Sequence, residues 1–282
     1  MEQPRELVLT TANAAFVTRQ LLVGGDLDTR DTELAASQLG ELVEAGVTHV
    51  VDARIEWNDE EWVSERAPEI GYLHHGMDDA GQRVPGEWFD VGVSWALEAM
   101  KGDGVVLTHC HMGINRGPSI AYAIMLAQGW PPVAALDTIR GSRPIAAIGY
   151  ATDALDWWHR LSRATDSEVA RDLGLVGEWF AEHPLDVVRT IRDVRAAENS
   201  AARSDGAGNS TAWRAPASCD QRMRATVDID EQLLDAVRLL AIETDRRLDD
   251  VLDDALRLLL ASVATSRPIT FPTYGARTLL GD

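Results

Sequence analysis

The chain is poor in cysteine, in positive charge and in long apolar runs. Its 282 residues include two cysteines, Cys110 and Cys219, far apart in sequence. Two such thiols make no disulfide framework, which sets aside the small stapled folds of secreted domains. Lysine and arginine number 26 against 45 aspartates and glutamates, a formal net charge of −19. A surface so acidic repels polyanions over most of its area, so any nucleic-acid contact needs a local basic patch. No apolar stretch is long enough to span a bilayer, and no membrane association is expected. The start, Met1-Glu2-Gln3-Pro4-Arg5-Glu6, lacks the basic region and apolar run of a secretory signal. A thiol kept free suits a reducing compartment, so a cytoplasmic location is expected. What the chain does have is a hydrophobic content of 45%, enough to build a core. Its length suits one medium domain and a smaller one.

The most informative stretch is Thr108-His109-Cys110-His111-Met112-Gly113-Ile114-Asn115-Arg116-Gly117-Pro118-Ser119. The apolar run Val105-Val106-Leu107 leads in, and a helical pattern from Pro118 leads out. The segment reads as a strand, a tight loop and a helix N-terminus. Such a loop can turn several backbone N–H groups toward one anion. A thiol at its start and a guanidinium at its end suit cleavage of a phosphate ester. The thiolate attacks phosphorus while the Arg fork holds two equatorial oxygens. A buried Cys110 in an ordinary strand-to-helix turn is the plainer alternative, since a free thiol often behaves as a small hydrophobe.

His-Cys-x5-Arg after a strand resembles the cysteine-dependent protein phosphatases, most closely the dual-specificity type. The resemblance implies an α/β fold with a central, mostly parallel sheet flanked by helices. It also implies phosphate binding by residues 111–116 (His111, Met112, Gly113, Ile114, Asn115 and Arg116), a nucleophilic Cys110, and support of the loop by His109. The family takes its general acid from an aspartate on an upstream loop. Asp78 and Asp79 follow a strand there, and Asp79-Ala80-Gly81 fits the family's Asp-x-Gly form better, with Asp78 second. The same group would later activate water. Many relatives carry Ser or Thr directly after the loop Arg to assist thiolate departure. This chain has Gly117-Pro118-Ser119, so slow breakdown of the phospho-enzyme is expected unless Ser119 substitutes. The class needs no cofactor or metal. His74-His75 with Asp78-Asp79 could suggest a metal cluster, but the two histidines alternate across a strand and point to opposite faces.

The loop residues between Cys110 and Arg116 include no Lys or Arg, which disfavours phosphoinositides. Asn115 before Arg116 is similar to the loops of RNA 5′-triphosphatases, yet the net acidity opposes an RNA substrate. Phosphotyrosine in proteins, with phosphoserine or phosphothreonine as extras, or a small phosphomonoester, is the expected substrate.

Periodicity sets the rest. Residues 7–10 and 21–24 read as paired strands, 32–45 as a helix stopped by Gly46, and 47–52 as a buried strand. Residues 56–71 read as an acidic, Trp-bearing loop with one helical turn, and 72–75 as a strand. Helices are expected over 86–101, 117–128, 133–140 and 150–162, with a strand over 104–108. The expected domains are a phosphatase-like unit over 1–163, a helical extension over 164–195, a flexible linker over 196–220, and a C-terminal unit over 221–282.

In that last unit, residues 222–229 alternate strictly and two amphipathic helices follow, over 231–244 and 249–263. One strand and two helices cannot bury their faces alone, so a homodimer through 221–263 is expected. The unit resembles the ribbon-helix-helix family, bacterial antitoxins included. The resemblance implies DNA contacts from Arg222, Arg224 and Thr226, or a toxin partner for the tail Phe271-Pro272-Thr273-Tyr274-Gly275. Asp249 and Asp250 crowd the second helix's N-terminus, where that family binds DNA phosphate, and a dimerisation module without DNA affinity stays open. An antitoxin-like regulator with an inactive phosphatase domain is the alternative to an enzyme.

Overall fold

The computed structural model describes residues 7–204. The C-terminal unit over 221–282, with Arg222, Arg224, Thr226 and the tail, lies outside the described residues, as do Cys219 and linker residues 205–220. Among the described residues no helix is long and apolar enough to cross a membrane.

The architecture is α/β. Five strands, β1 (Ala14–Phe16), β2 (Leu21–Gly24), β3 (His49–Asp52), β4 (Gly71–His74) and β5 (Val106–His109), form one sheet in the order β1-β2-β5-β3-β4. The β2–β5, β5–β3 and β3–β4 pairs are parallel, and β1 adds antiparallel at one edge. β2, β3 and β5 are short apolar runs because both sheet faces are covered. Val50 and Leu107 pack with α1 (Thr32–Glu44) and α2 (Glu60–Arg66) on one side. Val51 and Val106 pack on the other with α3 (Gly86–Lys101), α4 (Arg116–Ala127), α5 (Pro132–Ser142), α6 (Ala151–Ser162) and α7 (Asp166–Glu182). α8 (Val187–Ser204) follows and runs into the stretch read as a linker from residue 196.

Residues 7–10 are not a strand. The partner of β2 is β1, in the register Ala15↔Val23. The Glu41 carboxylate takes the amides of Thr10, Thr11 and Ala12, so the backbone just before β1 gives its donors to a side chain and not to a sheet. Leu7 and Val8 stay exposed.

Capping chemistry explains the helix bounds. Asp31 accepts from the amides of Glu33 and Leu34 to start α1, and Gly46, at φ +88°, ends its turn. Thr165 and Glu168 form a capping box at α7. Trp179 of α7 is buried, and its Nε1 donates to Asp137 Oδ1 at 2.6 Å, which ties the helical extension to α5. α4 is apolar all round and buried along nearly its whole length, with Ile120, Ile124, Met125 and Leu126 fully enclosed. Each such side chain contributes about 1.5–3 kcal/mol by leaving water. The segment from β5 through α4 is therefore firmly held in the core, and the Cys110–Arg116 loop is its bend.

Candidate active site

Cys110 follows the last residue of β5 and is 2% exposed. It is the free cysteine of the described residues. Arg116 is the first residue of α4, so the five residues between them turn through a tight arc. Gly113 has φ +62°, and a Cβ there would meet Gly24 O and Arg143 Nη2, both at 2.5 Å. Only glycine allows that approach. The arc leaves the backbone N–H groups of Met112, Gly113, Ile114, Asn115 and Arg116 without an acceptor among the described residues. No side chain caps α4 either. Consecutive unpaired amides at a helix N-terminus attract an anion.

Arg116 is 3% exposed and its fork is set from one end. Nη1 donates to Met77 O at 2.8 Å, to Ala53 O at 3.3 Å and to Glu56 Oε2 at 2.9 Å, while Nη2 donates to Glu56 Oε1 at 2.8 Å. The other edge is open. Buried Nε has no hydrogen-bond partner and lies 3.5 Å from Asp79 Oδ2. A tetrahedral oxyanion between that edge and the free amides would complete both. The Arg116 hydrogen bond holds the Glu56 carboxyl below the usual carboxylate range. Burial works against the Arg116 charge, but the Glu56 hydrogen bond and the charges of Cys110, Asp79 and Glu56 outweigh it.

Asp79 reaches the loop. Its Oδ1 accepts from Asn115 Nδ2 at 2.6 Å and from the Tyr150 hydroxyl at 3.0 Å. Asp78 is exposed, and its side chain makes no hydrogen bond or ion pair among the described residues. Of the two adjacent carboxylates, the structure brings Asp79 to Arg116.

The underside of the loop is pinned by Arg143. Its Nε donates to Gly113 O at 2.7 Å, and its Nη2 donates to Met112 O at 2.8 Å and to Asn13 Oδ1 at 2.9 Å. Among the described residues no carboxylate pairs with it. Burial pushes it down to about 10, partly offset by the charge of Cys110 nearby. It remains a cation at neutral pH. The Ile114 carbonyl accepts the Ala147 amide at 2.6 Å, a second fastening.

A buried charge cluster fixes the loop's entry. Arg54 bonds Asp52 Oδ2 and Asp59 Oδ2, each at 2.7 Å, and approaches Asp26 Oδ1 at 3.2 Å. Asp26 Oδ2 lies 2.6 Å from His111 Nδ1, and its amide donates to His111 O at 3.0 Å. His109 Nε2 is 3.7 Å from Asp52 Oδ1. Burial pushes His109 down to about 4, more than the Asp52 charge restores, so it is neutral at neutral pH. Ser119 is fully buried, and its Oγ accepts the Tyr150 amide at 3.2 Å. His74 and His75 serve the backbone: their Nε2 atoms bond Arg54 O at 2.7 Å and Trp88 O at 2.8 Å.

Sequence reading missed Glu56, Arg143 and Tyr150. The Arg143-Pro144 step after a helix offered a hint in hindsight, since Pro144 ends α5 and leaves Arg143 to turn inward. Nothing local marked Glu56 or Tyr150.

No family model matches the chain, and no curated relative does. Solved structures do. Human DUSP28 is 18% identical with a TM-score of 0.45, over 57% of this chain and 99% of that one. PTPMT1 is 17% identical with a TM-score of 0.44, over 53% and 96%. Tk-PTP in its active form is 20% identical with a TM-score of 0.43, over 52% and 97%. Similarity this low assigns no activity to this chain.

Proposed function

We propose that this protein is a cysteine-dependent phosphatase that hydrolyses phosphate monoesters through a cysteinyl-phosphate intermediate. One observation carries the reading. A buried thiol, the open edge of a buried guanidinium and five unpaired amides belong to one loop, and a carboxyl stands 3.5 Å from that guanidinium. The amides and Arg116 neutralise the phosphoryl group as its charge spreads in flight, the usual source of catalysis in phosphoryl transfer. Cys110 attacks as the thiolate. Asp79 protonates the leaving oxygen and then takes a proton from the attacking water. Phosphotyrosine in proteins is the substrate this reading favours, with phosphoserine or phosphothreonine as extras. The absence of Lys and Arg from residues 111–115 supports that choice over phosphoinositides.

Purified full-length protein should hydrolyse p-nitrophenyl phosphate in EDTA. Cys110→Ser should abolish turnover while still binding tungstate. Full activity in that variant would end the mechanism. We hold residues 221–263 as a homodimerisation unit on the strength of the strict alternation over 222–229 and the two amphipathic helices expected after it. Sedimentation equilibrium of the full chain as a monomer would remove that part.

A further inference from the structure

Asp79 stands on an exposed turn, yet one of its oxygens is fixed from two sides. Asn115 Nδ2 and the Tyr150 hydroxyl both donate to Oδ1, at 2.6 and 3.0 Å. Each donor is itself oriented. The Asn115 Oδ1 accepts the Gly149 amide, which turns the carboxamide so that Nδ2 faces Asp79. The Tyr150 oxygen accepts the Gly81 amide at 3.3 Å and keeps its own hydrogen to donate. Its longer alternative acceptor is Gln82 Oε1 at 3.4 Å. Burial and the Asp79 charge hold the Tyr150 ionisation above the ordinary range, so it stays a donor at working pH. Two donors fill the two lone pairs of Oδ1. Oδ2 receives neither, and it is the oxygen 3.5 Å from Arg116 Nε.

We infer that Asn115 and Tyr150 are positioning residues that make Oδ2 the proton-bearing oxygen of Asp79, turned toward the open edge of Arg116 where the phosphate ester would lie. This rests on the phosphatase reading. In the first step the bond from Cys110 Sγ to phosphorus forms and the bond from phosphorus to the leaving oxygen breaks. The Oδ2 proton passes to that oxygen and Asp79 is left ionised. In the second step a water oxygen bonds phosphorus as the sulfur–phosphorus bond breaks. The water proton goes to Oδ2, and inorganic phosphate and the Cys110 thiolate are released. Oδ1 keeps both donors throughout, so the carboxyl need not rotate between the two proton transfers. Asn115 sits directly before Arg116 in the loop, so the same segment that binds phosphate also sets the acid.

The test pairs a poor leaving group, phenyl phosphate, with a good one, p-nitrophenyl phosphate. Tyr150→Phe and Asn115→Ala are measured alone and in an Asp79→Asn background. Each should lower kcat for phenyl phosphate about tenfold, the loss of one hydrogen bond to the acid, and lower kcat for p-nitrophenyl phosphate by distinctly less. In the Asp79→Asn background neither should lower kcat further. Equal losses on both substrates, or losses that multiply with Asp79→Asn, would overturn the positioning role. If those losses appear while Cys110→Ser is inactive, the phosphatase reading survives alone. If the wild-type protein hydrolyses neither ester, or Cys110→Ser stays active, that reading fails and takes this one with it.

Discussion

Glu56 lays both carboxylate oxygens along one end of the Arg116 guanidinium, Oε1 2.8 Å from Nη2 and Oε2 2.9 Å from Nη1. That end faces away from Nε, which makes no hydrogen bond and has only the Asp79 carboxylate 3.5 Å away, so Glu56 orients the fork without covering the edge a phosphate would use. Glu56→Gln keeps the shape but sets an amide against a guanidinium N–H. We expect kcat/KM for p-nitrophenyl phosphate to fall about tenfold, mostly through KM, with a matching loss of tungstate affinity by calorimetry. Tighter tungstate binding in the variant would instead mean that Glu56 competes with the anion.

The features legible in the sequence were those made by neighbours in the chain. The bend from β5 into α4 is local, and the sequence sets Cys110 and Arg116 at its two ends. The helix over Gly86–Lys101 begins after Pro85 and ends at Gly102, and both signals are printed in the sequence. Glu56 was invisible because it opens an acidic stretch like any solvated surface, and only the sheet brings it to Arg116. Arg143 was invisible for another reason. A buried cation is expected beside a carboxylate, and this one bonds carbonyls of the loop and of Asn13 instead. The strand read over residues 7–10 is displaced to Ala14–Phe16, and a side chain outside the sheet, Glu41, claims the amides of Thr10, Thr11 and Ala12 between the two.

His109 makes stability depend on pH in a definite direction. Its ordinary value is 6.5, and in the fold it is pushed down to about 4. Below 6.5 the unfolded chain binds a proton that the native state refuses, so acidification favours unfolding until about pH 4, where the effect levels off. The window spans roughly 3 kcal/mol. Burial raises Asp26, which acts in the opposite sense, but that contribution is common to wild type and variant. Urea unfolding at pH 7 and pH 4.5 should therefore show a smaller acid loss in His109→Gln than in wild type. Equal losses would mean that His109 takes up its proton in the fold as readily as in the unfolded chain.

If the phosphatase reading holds, Ser119 and Gly117 decide how the proposed intermediate is resolved. In the phosphatase reading the second step must expel a thiolate, which a hydroxyl directly after the loop Arg could assist by donating a hydrogen bond. Here the position is Gly117, and a Cβ on it would lie 2.9 Å from the Cα and carbonyl carbon of His109 and 3.1 Å from Thr108 O. A serine there cannot be accepted without moving β5. Ser119 is no ready substitute, since its Oγ is committed to the Tyr150 amide inside the core. Thiolate departure then lacks a hydrogen bond worth about tenfold in rate. Rapid-quench mixing with p-nitrophenyl phosphate should give a burst of p-nitrophenol near one equivalent per site, followed by slower steady turnover. Gly117→Ser should lower Tm and leave the slow phase no faster. A linear time course from the first turnover would place the slow step before the intermediate, and a faster slow phase in Gly117→Ser would mean the loop had room for the hydroxyl after all.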